Sequence, residues 1–255
     1  MSLSFVSTSP IIEVQNLTQR FGTQEILHGI SLSVQRGETL VLLGRSGGGK
    51  SVFLRHLIGL MRPASGKVLI DGQDISSLTE RQLEHVRKKI GMLFQDGALF
   101  DSMNVFENVA FPLREHGERD ENRIQEKVAH ALQLVSLSGH DKKMPVNLSG
   151  GMRKRTALAR AVISQPACIL YDEPTAGLDP IVSDTINKLI RRLQKQLQVT
   201  SVVVTHDMTS ANHVADRIAL MHEGRIHFFG TLEEFHASRD PLLLDFLHGR
   251  SHEID

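Results

Sequence analysis

Apolar and polar positions along the chain change period several times, and each change marks an element. Ile12, Val14 and Leu17 lie near a two-residue alternation, and Ile30, Leu32 and Val34 follow one strictly, so the opening stretch reads as β-strand. Leu40, Val41, Leu42 and Leu43 are apolar on both faces, the pattern of a strand covered on both sides in a parallel sheet. Glycines over 44–49 interrupt that run, and helical spacing resumes over 50–60. Val68, Leu69 and Ile70 followed by Asp71-Gly72 predict a hairpin arm and its turn. Thr79 and Gln82 stand at capping-box spacing and predict a helix start. Residues 90–94 form another short apolar strand, ending at Gln95.

The pattern over 101–162 is helical, with breaks at Pro112, Gly117, Gly139 and Pro145. Ile124, Val128, Ala131, Leu132 and Val135 make one apolar helix face. Strand patterns return at 168–171 and 199–204, a hairpin is predicted around Glu223-Gly224, and the chain closes in a short helical tail. The arrangement predicts an α/β domain over 11–235. Its core covers about 11–95 and 165–235, a helical subdomain about 96–164 is inserted into it, and a short tail follows at 236–255. No internal repeat or low-complexity stretch is visible.

Composition narrows the class. Hydrophobic residues at 40% and charged residues at 23% fit a globular domain with a sizeable core. Lys plus Arg and Asp plus Glu number 29 each, which gives no reason to expect a nucleic-acid surface. The single cysteine, Cys168, excludes an internal disulfide and reads as a core residue. Residues 1–10 lack the pattern of a secretory leader, and no apolar run approaches the ~18 residues of a membrane span. Any membrane work is expected to fall to a partner.

Three segments carry chemistry. Gly44-Arg45-Ser46-Gly47-Gly48-Gly49-Lys50-Ser51 matches the phosphate-binding loop in full, with an apolar strand before it and a helix after it. Glycines let the backbone approach phosphates, and their N–H groups with the helix N-terminus form an anion cradle. Lys50 supplies a charge for the β- and γ-phosphates, and Ser51 a hydroxyl for Mg²⁺. Next, the strand at 168–171 ends in Asp172-Glu173, and a parallel strand delivers such residues to the ligand crevice. Asp172 is placed to hold Mg²⁺, and Glu173 is the candidate base for an attacking water. Last, Asn147-Leu148-Ser149-Gly150-Gly151-Met152-Arg153 sets a good N-cap before two glycines, which makes a second anion site.

That last segment resembles the Leu-Ser-Gly-Gly-Gln signature of the ABC ATPases, with Met152 at the glutamine position. The resemblance runs over about 11–230, with the motifs in family order. It implies a P-loop NTPase (RecA-like) core with a small antiparallel β subdomain and an inserted α-helical subdomain. It implies that Phe21 stacks on adenine and that Gln95 touches Mg²⁺ and water and senses the permease. It implies that Asp179, in Ala176-Gly177-Leu178-Asp179, crosses a dimer interface, and that His206 is the switch that contacts the γ-phosphate. Gly44, Ser46, Gly47, Gly49, Lys50 and Ser51 then bind ATP in one copy, and Ser149, Gly150, Gly151 and Asp179 close over it from a second, head-to-tail copy. Met152 cannot reproduce the hydrogen bonds of a glutamine.

The segment 97–116 is similar to the Mla/Mce phospholipid-transport ATPases. That likeness implies an integral-membrane permease, an Mce-type lipid-binding protein, a small STAS-type regulator, and a place on the cytoplasmic face of the inner membrane. Leu99, Phe100, Met103, Val105 and Phe106 are candidates for the permease-docking surface, with about half of them expected in the core of the helical lobe. Two alternatives stay open: an ATPase of an importer for another small substrate, and a non-transport ABC protein acting on ribosomes or DNA.

Overall fold

The computed structural model describes residues 9–249. Two sheets carry the α/β body. The smaller is antiparallel, with strand order β2-β1-β4-β5: β1 (Ile12–Phe21), β2 (Gln24–Val34), β4 (Ser65–Ile70) and β5 (Gln73–Asp74). The larger has six strands in the order β10-β9-β3-β8-β7-β6. Its parallel members are β3 (Thr39–Leu43), β6 (Ile90–Leu93), β7 (Cys168–Asp172), β8 (Thr200–Thr205) and β9 (Arg217–His222). At its edge β10 (Arg225–Thr231) returns antiparallel through the predicted hairpin.

Every residue of β3 is buried, and consecutive side chains enter different cores. Leu40 and Leu42 face α1 (Lys50–Leu57), which lies between the two sheets with Phe53, Leu54 and Leu57 buried. Val41 and Leu43 face the other core, with Ile169 and Tyr171 of β7 and Ile190 of α6 (Pro180–Leu197). Cys168 and Leu170 of β7 join the α1 side, and burial pushes the Cys168 thiol up to about 12, as befits an inert core residue. Each fully buried leucine is worth about 1.5–3 kcal/mol, so the both-face apolar pattern is what holds the central strand in place.

Between β6 and β7 runs a helical lobe of α3 (Val105–Glu115), α4 (Glu121–Leu134) and α5 (Gly150–Val162). The predicted face Ile124, Val128, Ala131, Leu132 and Val135 is wholly buried there. The expected break at Pro112 is absent, because α3 runs through it to Glu115. Burial of Val109 and Leu113, at about 1.5–3 kcal/mol each, outweighs the roughly 3 kcal/mol that a mid-helix proline costs. The capping box of Thr79 and Gln82 starts α2 (Glu80–Arg87) as predicted. α7 (Met208–Val214) follows β8. After β10 come α8 (Leu232–Ala237) and α9 (Pro241–His248), whose Phe235 and Leu243 are buried in the same core as the helical lobe. Among the described residues no helix is long and apolar enough to cross a membrane.

Candidate active site

The phosphate-type loop hangs between β3 and α1. A Cβ on Gly44 would stand 2.6 Å from the Met221 carbonyl oxygen of β9, so the strand can turn away there only without a side chain. Gly49 adopts φ +93° at the helix entrance, and no side chain caps α1. The first N–H groups of that helix therefore open towards the loop rather than being spent on a cap.

Lys50 is 5% exposed. Its ammonium donates to the carbonyl oxygens of Gly44 (2.8 Å) and Arg45 (3.0 Å) and lies 3.7 Å from Glu173 Oε1. Burial holds its pKa below the usual lysine range, and the charges of Glu173 and Asp172 act against that shift. Ser51 Oγ donates to Asp172 Oδ1 at 3.1 Å. Burial raises the Asp172 pKa, and the Ser51 hydrogen bond opposes the rise.

Glu173 follows β7 in a left-handed conformation, φ +46°, with its N–H donating to Val204 O of β8 at 2.9 Å. Its carboxylate accepts from Thr205 Oγ1 at 3.3 Å, and His206 Nδ1 lies 3.0 Å from each of its oxygens. Thr205 ends β8, the strand beside β7, and His206 follows it, so the parallel pairing of the two strands brings the three together.

Lys50, Ser51, Glu173 and His206 line one cleft of about 370 Å³. Phe21, Ile26 and Val52 make its apolar side; Phe21 ends β1 and is 48% exposed. Ser46, Gly47, Gly49, Lys50 and Ser51 make the loop side, and Gln95, Glu173 and His206 the far wall. The cleft does not include Ser149, Gly150, Gly151 or Asp179. Ser149 caps α5, accepting from Met152 N at 3.3 Å, and Ser149 and Gly150 are exposed. Asp179 caps α6, accepting from Ile181 N and Val182 N at 3.0 Å. A Cβ on Gly151 would stand 2.6 Å from Val182 Cγ1, so the starts of α5 and α6 are packed together.

Two polar residues were not singled out by sequence. Lys154 of α5 is 5% exposed and donates to the backbone carbonyl of Gln95 and to that of Glu173, the latter at 3.3 Å. Its signal is a charge within the stripe Gly151, Ala157, Leu158 and Ala161, which is otherwise small or apolar and buried. Asn108 of α3 is fully buried. Its side chain accepts from Phe100 N at 2.8 Å and donates towards the carbonyls of Phe100, Met103 and Asn104 within 3.1 Å.

Of the five candidates for a docking surface, Val105 is core, Leu99 and Phe106 pack half-buried against it, and Met103 is half-buried. Phe100 remains 41% exposed beside a groove of about 400 Å³ whose lining includes Ile90, Met92, Phe94 and Phe111.

The model of the family described as "ABC transporter" matches residues 27–176. The chain belongs to the ABC transporter family. It is the ATP-binding and ATP-hydrolysing subunit of such a transporter. Among its ABC relatives, the probable ribonucleotide transport ATP-binding protein mkl of Mycobacterium leprae is 46% identical over 94% of this chain and 69% of its own. The intermembrane phospholipid transport system ATP-binding protein MlaF of Haemophilus influenzae is 43% identical over 94% of this chain and 91% of its own. The solved ATP-binding cassette MJ0796, a dimer in a post-hydrolysis state with ADP and Pi, superposes with a TM-score of 0.79 at 30% identity, covering 87% of this chain and 98% of its own.

Proposed function

We propose that the chain powers phospholipid transport between membranes of the cell envelope, as one of two head-to-tail copies on the cytoplasmic face of an integral-membrane permease. The observation that carries the catalytic half is the convergence of Lys50, Glu173 and His206 on one cleft. Phe21 would stack on the adenine, and the Ser46, Gly47 and Gly49 backbone with Lys50 would hold the triphosphate. Gly44 lets the strand turn into that loop, since a Cβ there would meet Met221 O.

Ser51, Asp172 and Gln95 present a hydroxyl, a carboxylate and an amide, the hard oxygen donors that suit magnesium. A divalent cation there would also offset the burial that raises the proton affinity of Asp172. When bound, magnesium supplies charge neutralisation at the phosphate oxygens. Glu173 takes the proton of the attacking water, while Thr205 and His206 hold its carboxylate in place. Ser149, Gly150, Gly151 and Asp179 serve the cleft of the second copy. Their separation from the protomer's own cleft and the dimeric MJ0796 relative support that role.

Phospholipid cargo is favoured by the likeness to MlaF, which spans 91% of that protein, and by the segment 97–116. The groove beside Phe100 is the proposed seat of the permease, with an Mce-type lipid-binding protein and a STAS-type regulator as further members of the complex. The likeness to mkl favours a second reading, ribonucleotide cargo. Isolation of the complex from membranes, reconstitution, and assay of ATP-dependent transfer of labelled phospholipid separates them. Lipid transfer that Glu173→Gln abolishes is the expected result. ATP-driven ribonucleotide uptake without lipid transfer would move the conclusion to the second reading.

A further inference from the structure

We infer that Lys154 is a positioning residue: its buried ammonium ties the backbone at Gln95 and the backbone at Glu173 to the signature helix α5, so that displacement of the permease-facing loop reaches the catalytic carboxylate. The inference rests on the proposed role of Glu173 as base.

The geometry is a three-way junction. Lys154 is one turn from Ser149–Gly151, at the start of α5. An ammonium has three donors and no acceptor, so it can serve several carbonyls at once. Its two acceptors follow β6 and β7, parallel neighbours that end side by side with Leu93 opposite Tyr171. Both contacts are to main-chain oxygens, so they set the path of the backbone whatever side chains hang from it. Arg160, further along the same helix, donates to the carbonyls of Gly97 and Ala98 at 2.7 Å each and lies 5.9 Å from the Phe100 ring centre. Two cations of one helix therefore grip the loop that leaves β6 at residues 95, 97 and 98 through charge-assisted bonds.

The Glu173 end explains why a cation is needed. A left-handed glutamate is strained and persists only where its surroundings determine it. On one side its N–H donates to Val204; on the other its carbonyl accepts from Lys154 at 3.3 Å and from Ala176 N at 3.2 Å. Lys154 also faces the charges of Asp96, Asp172 and Glu173, which favour its charged form against burial. An apolar residue of equal length would fill the space but leave the Gln95 carbonyl unheld and the Glu173 carbonyl to Ala176 N–H alone.

The test uses the complex isolated from membranes through a tag on this chain, with Lys154→Met and Lys154→Gln. In Lys154→Met, kcat for ATP is expected to fall ~10-fold or more with KM changed by less than about 2-fold, the mark of lost alignment rather than lost binding. Hydrogen exchange is expected to quicken at residues 94–98 and 173–176 and to stay unchanged in α4. Lys154→Gln, whose shorter, uncharged side chain keeps two N–H donors, is expected to recover part of both. An unchanged kcat, or a rise in KM alone, would overturn the inference; so would exchange that quickens equally throughout the chain. If Lys154→Met does not fold, Lys154→Gln decides: wild-type kcat with wild-type exchange at both segments refutes the tie. Should Glu173→Gln retain turnover, the role of Glu173 as base fails, whereas the exchange readout for Lys154 still stands or falls by itself.

Discussion

Glu173 combines a carboxylate pinned by two neighbours with a backbone conformation suited to glycine. Replacing it with glutamine keeps the shape and the contact to His206 but removes the base. Turnover of Glu173→Gln is expected to fall by about 10²–10⁴, with nucleotide affinity retained; phosphate release and equilibrium ATP binding measure the two. A different residue contributes to the acid side of the stability profile. His56 of α1 is 1% exposed, with Nδ1 2.8 Å from Val52 O and Nε2 3.2 Å from Gln19 Oε1. Burial depresses its pKa, against the Val52 hydrogen bond. The unfolded chain takes up that proton near pH 6.5, while the folded chain resists until lower pH, so this residue's contribution to stability is lost as pH falls below about 6.5. Thermal unfolding at about pH 7 and 5 should show a smaller loss in His56→Gln than in the unsubstituted chain.

At the scale of elements, the loop between β6 and α3 depends on Asn108, which bonds main-chain groups of Phe100, Met103 and Asn104 from a fully buried position. Asn108→Ala leaves Phe100 N and Met103 O unsatisfied, at about 1–3 kcal/mol for each that water cannot reach, while the carbonyls of Phe100 and Asn104 keep their backbone donors Met103 N and Asn108 N. Faster hydrogen exchange over 99–104 and reduced recovery of the permease with the chain are the expected outcomes. The elements themselves were largely legible in the sequence, since β3 and β8 are apolar on both faces and the face of α4 keeps strict helical spacing. β1 was blurred, because a register shift between Val14 and Leu17, with Asn16 at φ +47°, breaks the alternation. The loop from Gly44 to Ser51 announced itself because its chemistry is local. Lys154 and Asn108 did not, because each is defined by what it meets: Lys154 reaches carbonyls 59 and 19 residues away. Pro112 misled in the other direction, since local propensity spoke against a helix that tertiary burial maintains.

For the molecule as a whole, the exposed Ser149 and Gly150 face no nucleotide of their own protomer in the proposed mechanism. Glu173→Gln with ATP is therefore expected to elute as a dimer in size exclusion, and Ser149→Arg in the same background to return it to monomer. The sheet order has a different consequence. β3, which carries the phosphate-type loop, is made early, yet both of its neighbours, β8 and β9, come from the last third of the chain. During synthesis an apolar strand must wait, unpaired along both edges, until residues 200–222 emerge. A fragment stopped before residue 200 would be expected to aggregate rather than bind nucleotide, because its central strand offers two bare edges to any other chain. Nucleotide-binding competence is thus expected to arrive only once residues 200–222 have been made.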